Sequence, residues 1–377
     1  MLENLPWPCP DEPPVLLPDI AEIISAAELT LTADHIVAWQ LPNGMIPWFP
    51  GGHADAWNHV EAAMALDVMG KHDEASAAYQ WLVRTQRHDG AWHQYYLADR
   101  VEQDKLDANC VAYVAAGIWH HYLITRDHKF LEAMWPVVEP AIEFVLDLQT
   151  PRGEILWARH ADNTPWSFAL LTGSSSMTHS IRCAVAMAEE LGHERPSWEL
   201  GAARLAHVIR TEPSAFAPKD RWAMDWYYPV LAGVVRGEPG FDRMAAKADE
   251  FIIEGRGVRC VSDQPWVTTA ETCECAMAYL SLGESDRATE LFADIQRFRQ
   301  ADGSYFTGVV FPQDVSFPDT ESSTYSAAAV ILLADALSGA SGASDLFTDH
   351  DLLPGLIDVD IPAAMAAEID AEANPAS

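Results

Sequence analysis

The chain has 377 residues, 49% of them apolar, and a formal charge of −33 from 23 Lys and Arg against 56 Asp and Glu. So acidic a surface repels phosphate backbones and anionic lipid, which excludes nucleic acid and membranes as natural partners and argues against a highly anionic substrate. No apolar run reaches the roughly 18 residues of a membrane span, the N-terminus lacks the basic start and apolar stretch of a signal peptide, and the six cysteines have no framework spacing, so reduced thiols and a cytoplasmic location are expected.

Residues 1–18, rich in proline and acid, are expected to form an irregular N-terminal arm. After the arm, apolar residues recur with helical period and almost no strand-like alternation. The spacing predicts helices over 19–39, 55–69, 72–87, 107–125, 128–148, 176–191, 197–211, 225–236, 240–254, 269–282, 285–298 and 322–338. Glycine or proline punctuates the breaks at "LGHERP", "RGEPG" and "SLGES". Residues 339–377 read as an acidic, alanine-rich, mobile tail with one short helix at 362–371.

The helices alternate in character. "NCVAYVAAGIW" and "YSAAAVILLADAL" are apolar on most faces, whereas "KHDEASAAYQWLVRTQ" and "ESDRATELFADIQRFR" carry a single apolar stripe. Helices apolar all round are buried and striped ones lie outside. Six of each predict an all-α, single-domain (α/α)6 toroid, a six-hairpin barrel over 19–338, with an open α-solenoid as the structural alternative.

One turn recurs. "TQRHDGAWHQYY" at 85–96 sets a glutamine four residues before a glycine and six before a tryptophan, and looser copies start at Gln40, Gln149 and Arg299. Glycine permits the sharp turn after an outer helix, glutamine can satisfy its orphan carbonyls, and the aromatic packs over the neighbouring pair. "QRHDGAW" resembles the repeated Gln-Trp motif of squalene–hopene cyclases and related α/α-toroid proteins, where it is structural. The DxDD proton donor of those cyclases and the Asp, Cys and His zinc site of prenyltransferases have no copy here.

Polar and aromatic segments stand near the start of each predicted inner helix: "GGHADAWNH", "DKLDANC", "LTGSSSMTHS", "MDWYYP", "TTAETCE" and "DTESSTY". In a toroid they surround one mouth, with the Gln-Gly-Trp turns bordering it. That pocket gathers Asp55, Asp107, Asp225, Glu271, Glu274 and Glu321 with Trp48, Trp57, Trp92, Tyr95, Trp226, Tyr227, Trp266 and Tyr305. His53 and His179 add polar contacts, and Arg159 and Arg259 are its main cations. Aromatic faces beside carboxylates and neutral donors suit a neutral carbohydrate. Glycoside hydrolysis needs a protonated acid and a second carboxylate, roughly 6.5–9.5 Å apart for inversion and about 5–5.5 Å for retention. Glu271, in a small and apolar segment, is assigned as general acid, and burial is expected to raise its pKa. Glu274 competes for that role. Asp55 is assigned as base and also reads as a helix N-cap; Asp225 assists. Opposite walls of a toroid favour the wider gap and inversion. No histidine has a metal-ligand spacing, so neither metal nor cofactor is expected.

The longer pattern "IPWFPGGHADAWNHVEAAMALDVMG", "WHHYLITRD", "MWPVVEPAIEFVLDLQTPRGEILWA", "MDWYYPVL", "GVRCVSDQPWVTTAETCE" and "DGSYFTG" resembles an actinobacterial family of cytosolic α/α-toroid proteins, the methylmannose polysaccharide hydrolases. The resemblance spans about residues 40–338. It implies endo-hydrolysis of an α-1,4-linked, partly O-methylated mannan in the cytoplasm, on a glucoamylase-like fold with acid and base on different inner helices. A terpenoid cyclase or prenyltransferase-like enzyme, and a non-catalytic carbohydrate-binding toroid, are the competing readings. Oligomeric state is not legible.

Overall fold

The computed structural model describes residues 15–357 and 359. Most of the expected arm and the helix expected at 362–371 lie outside the described residues. Twelve α-helices run through the described residues: α1 (Ala26–Trp39), α2 (Ala56–Val68), α3 (His72–Thr85), α4 (Ala108–Thr125), α5 (His128–Leu146), α6 (Leu171–Glu190), α7 (Pro196–Thr211), α8 (Ala223–Leu231), α9 (Gly237–Phe251), α10 (Thr269–Ser281), α11 (Ser285–Ile295) and α12 (Thr324–Ser338).

Burial follows the predicted alternation. Every residue of α4 from Ala108 to Tyr122 is buried, whereas amphipathic α3 buries Ala75, Ala78, Tyr79, Trp81 and Leu82 and leaves its acids outside. The even-numbered helices form the inner layer: α2 packs on α4, α4 on α6, α6 on α8, α8 on α10, α10 on α12, and α12 on α2.

Three boundaries differ from expectation. α1 starts at Ala26, capped by Ser25 with a reciprocal bond from Glu28, because Asp19 and its neighbours form a separate turn. α6 starts at Leu171, five residues early, because its serine run is helical and buried. α8 stops at Leu231, where the Pro229 carbonyl is taken by the Val234 and Val235 amides of the next turn.

Short strands, absent from the sequence reading, build the connections: β1 (Tyr95–Leu97), β2 (Arg100–Gln103), β3 (Leu106–Asp107), β4 (Ala158–Arg159), β5 (Ile252–Ile253), β6 (Gly257–Val258), β7 (Trp266–Thr268), β8 (Phe306–Val310) and β9 (Val315–Ser322). They pair as β1–β2, β3–β4, β5–β6 and a three-stranded β7–β8–β9, all antiparallel.

The repeated turn ties the outer helices together. Gln86 Nε2 donates to the Gly90 carbonyl of its own turn at 2.9 Å and to Val137 O of α5 at 2.8 Å. Gln40 reaches Gly44 O and Glu74 O of α3, and Gln149 reaches Gly153 O and Gly201 O of α7. Gly90 sits at φ +87°, where a Cβ would lie 2.2 Å from Pro140 O, so the turn rests directly on the α5 backbone. After α11, Arg299 takes the glutamine's place and bonds the Glu28 side chain and carbonyl on α1, while Gly303 lies against Leu31.

The residues expected to form a tail from 339 begin by folding back over the bundle. Arg182 of α6 donates to the carbonyls of His350, Leu353 and Pro354, and Phe347 stacks on His179.

Candidate active site

Each inner helix is entered through a long connection and left through a short turn, so the inner N-termini share one rim with the long loops. Asp55 caps α2 and Asp107 caps α4, each accepting backbone N–H groups of the first turn. Asp225 stands in the first turn of α8 and accepts from Thr172 N and Oγ1 at 3.3 and 2.6 Å. These three carboxylates line one cleft of about 400 Å3, with Trp48, Trp57, Tyr95, Trp157 and Trp222 among its walls and Asn58, Asn109 and Thr172 as neutral polar groups. Its cation is Lys219; Lys105 stands beside it, 3.7 Å over the Trp157 ring.

The aspartates differ in electrostatics. Asp55 Oδ2 accepts from Trp48 Nε1 and Asn58 Nδ2, both at 2.7 Å, and Oδ1 from Asn58 N at 3.0 Å. Three donors thus converge on one buried carboxyl. Burial raises the pKa of Asp107 against the opposing pull of Lys105. Burial likewise raises Asp225, partly offset by the Thr172 bonds.

Below the mouth lies a layer the sequence reading missed. Counted from the N-caps Asp55, Asp107, Leu170, Trp222, Thr268 and Ser323, the sixth residue of each inner helix is Glu61, Tyr113, Ser176, Tyr228, Glu274 and Ala329. Glu61 Oε1 accepts from Trp57 Nε1 at 2.8 Å and Tyr113 Oη at 3.3 Å, and Glu274 accepts from Tyr227 Oη. Burial, reinforced by Asp55, pushes Glu61 up to about 8. Glu274 is also raised, by burial first and then by Glu61 and Glu271. The signal for Glu61 was present in "NHVEAAMALDVMG": its acids, Glu61 and Asp67, stand in an otherwise small and largely apolar helix.

Glu271 is half-buried in the first turn of α10, one turn above Glu274, with Cys260, Tyr227 and Tyr325 as electrostatic neighbours. Glu321 lies on β9 and accepts from Thr307 Oγ1. His53 stacks on Tyr95 at 4.1 Å and bonds Glu102, beside Trp48. Trp266 stacks on Phe317 of β9.

Of the expected site residues, His53, Tyr227, Trp266, Glu271, Glu274 and Glu321 do not line the cleft itself, and six more are placed or engaged elsewhere. Trp92 is buried with its indole N–H on Leu82 O, because the turn folds the ring back onto its own outer helix. Tyr305 is fully buried and bonds Gln296. His179 lies under the C-terminal segment against Phe347 and His350. Trp226 is buried on Phe251 and lines a separate cavity on the far side of Asp225. The expected cations are engaged elsewhere: Arg159 pairs with Asp147 and Arg259 donates to Ser262 O. Among the described residues no cluster of three or more His, Cys, Asp or Glu could hold a metal ion, and no helix is long and apolar enough to cross a membrane.

No protein-family model matches the chain. It is 47% identical over 340 residues to the MMP endo-(1,4)-3-O-methyl-α-D-mannosidase of Mycolicibacterium hassiacum, covering 90% of this chain and 94% of that protein. Among solved structures, a wild-type glycosidase matches 84% of this chain and 98% of its own at 13% identity and TM-score 0.66. A GH63 mannosylglycerate hydrolase from Thermus thermophilus in complex with glucose matches 81% and 99% at 12% identity and TM-score 0.61. A D-mannose isomerase matches 82% and 96% at 11% identity and TM-score 0.63. Because a hydrolase and an isomerase share the scaffold, these structural likenesses carry the fold alone.

Proposed function

Because the chain belongs to the family of the MMP endo-(1,4)-3-O-methyl-α-D-mannosidase, we propose that it is a glycoside hydrolase cleaving internal α-1,4 linkages of an O-methylated mannan, with inversion at the anomeric carbon. The helices are read as a six-hairpin (α/α)6 toroid; the inner layer's packing of α12 onto α2 and the Arg299–Glu28 contact between α11's end and α1 support this. The five described cysteines are free, which suits a cytoplasmic setting.

The observation that carries the activity is the cleft: the N-termini of α2, α4, α6 and α8 converge on it with three carboxylates and four tryptophans, Trp48, Trp57, Trp157 and Trp222. Aromatic walls accept the C–H faces of sugar rings and their methyl ethers, while Asn58, Asn109 and Thr172 offer hydrogen bonds to free hydroxyls. In this reading Asp55, oriented by its bonds from Trp48 and Asn58, activates water as base. Glu271 donates the proton to the leaving oxygen, and Asp225 orients sugar hydroxyls. Asp55 and Glu271 stand on helices separated by α12, which supports a wide gap and inversion.

The test is reducing-end release from α-1,4-linked manno- and gluco-oligosaccharides with and without O-methyl groups. Release from the methylated mannosides is expected, with Asp55→Asn and Glu271→Gln each reducing kcat/KM by about 10²–10⁴-fold. The first-formed anomer, read by NMR, reports inversion. A folded protein that releases nothing from any member would overturn the assignment.

A further inference from the structure

We propose that Glu61 and Glu274 are positioning residues of this glycosidase, a carboxyl pair beneath the mouth that links the base at Asp55 to the acid at Glu271 and fixes Trp57 in the cleft wall. The inference rests on the hydrolase reading of the mouth.

Geometry carries it. Glu61 and Glu274 occupy the same depth, six residues beyond their N-caps, on inner helices that flank α12. Their layer-mate on α12 is Ala329, a small, buried side chain. Glu61 holds the indole N–H of Trp57, a wall of the cleft, at 2.8 Å. Glu274 lies three residues after Glu271, so the two share one face of α10. Electrostatically the four carboxyls form a chain: Asp55 acts on Glu61, Glu61 on Glu274, and Glu271 on Glu274.

The groups facing the pair are uncharged when protonated. They are Tyr113 from α4, Tyr227 and Tyr228 from α8, and Trp57 on α2 itself; Cys183 of α6 and Cys273 of α10 stand behind them. Hydroxyl and indole donors favour the carboxylate but do not offset the burial of a full charge, so burial decides the direction. The pair therefore works uncharged. It keeps two extra negative charges away from Asp55 and Glu271 while its hydrogen bonds hold the aromatic wall. Ionisation of Glu61 near 8 ends that state, and the two carboxyls titrate as a unit.

Glu61→Gln, Glu274→Gln and the double variant, each checked for folding by near-ultraviolet circular dichroism, provide the test. On a 3-O-methylated manno-oligosaccharide at pH 6, each single variant should lose less than about tenfold in kcat/KM, against the roughly 10²–10⁴-fold expected for a proton-transferring group. The fall in wild-type kcat/KM through pH 8 should be absent from the double variant. Glu61→Ala, which frees Trp57, should raise KM more than it lowers kcat. In parallel, the infrared C=O stretch of a protonated carboxyl should be present in the wild type at pH 7 and missing from the double variant. An alkaline limb that persists unchanged, a folded Gln variant as inactive as Glu271→Gln, or no protonated carboxyl removed at pH 7 would each overturn the proposal. The infrared arm needs no turnover, so failure of the mannosidase reading and failure of the pair register separately.

Discussion

Helix α2 carries two carboxylates nearly two turns apart, Glu61 half-buried and Asp67 fully buried, and they meet opposite fates. Glu61, towards the open rim, is flanked by an indole, a phenol and other carboxyls, and burial drives it towards the neutral form at about 8. Asp67, towards the short-turn rim, also pays for burial, but His121 at 2.8 Å and His72 at 3.0 Å outweigh that cost and leave its pKa below the usual range. The difference follows the two ends of the molecule. At the short-turn end the inner helices exchange tight turns and are covered by residues 340–356 through Arg182 and His350. At the other end the connections run long, as at 86–107 and 147–170, and carry the aromatics and aspartates of the cleft. Charge is compensated where the fold is closed and left poised where it is open, as expected if strain and reactivity concentrate on loops held by a rigid scaffold.

Removing the compensation at the closed end should have the largest effect. Asp67→Asn leaves His121 and His72 without their shared carboxylate and should cost about 3–5 kcal/mol at pH 7, read as a fall in denaturant midpoint. Because Asp67 has a depressed pKa, its contribution is complete above the usual aspartate range and is lost as pH falls through the folded value, so the variant's deficit should shrink in acid. Next comes Arg182→Met, which removes the donors to three carbonyls of the covering segment. It should cost about 2–3 kcal/mol and expose residues 340–356 to faster amide exchange, while the cleft residues keep theirs. Equal loosening at both ends would break the proposed division.

How much of this was written in the sequence differs between the ends. The alternation of all-apolar and striped helices, and the glutamine that bridges two carbonyls, followed from periodicity and from the need to satisfy a helix terminus, and all twelve expected helices are present, within three residues at each end except at the starts of α1 and α6 and the end of α8. The mouth was legible as a set of N-terminal segments, because acids before apolar runs are conspicuous whether they cap or catalyse. What failed was direction. Trp92 sits in the same turn as Gln94 and Tyr95 of the cleft, and Tyr305 in the last copy of that turn, yet their side chains go to Leu82 O and Gln296, a choice fixed by three-dimensional packing. Glu61 was passed over because it lies inside a helix and not at its start, although Glu271 and Glu274 were picked out by the same contrast of acids among small apolar residues. The short strands escaped because most hold two to four residues, too few to show alternation.

A smaller effect belongs to the turn that joins the outer layer without touching the cleft. Gln86→Ala removes donors to Gly90 O and Val137 O and should cost about 1–2 kcal/mol, with KM and kcat for the oligosaccharide unchanged. A change in kinetics larger than the change in stability would mean that the outer layer positions the mouth, and the two ends would then no longer be separable.

The smallest effect is a gain, and it bears most directly on the contrast within α2. Glu61 has a folded pKa of about 8 against an unfolded 4.5, so the folded chain holds a proton that the unfolded chain gives up between those values. The stability associated with that proton is fully present below pH 4.5 and is lost as pH rises through 8. Glu61→Gln cannot ionise. It should match the wild type at pH 4 and exceed it at pH 9 by on the order of 1 kcal/mol, less than the full shift would give because Glu61 is half-buried and partly screened by solvent. Asp67→Asn should show the reverse pH trend on the same helix. Were both variants to lose stability as pH rises, Glu61 would have to be ionised and paired like Asp67, and the uncharged floor beneath the cleft would be wrong.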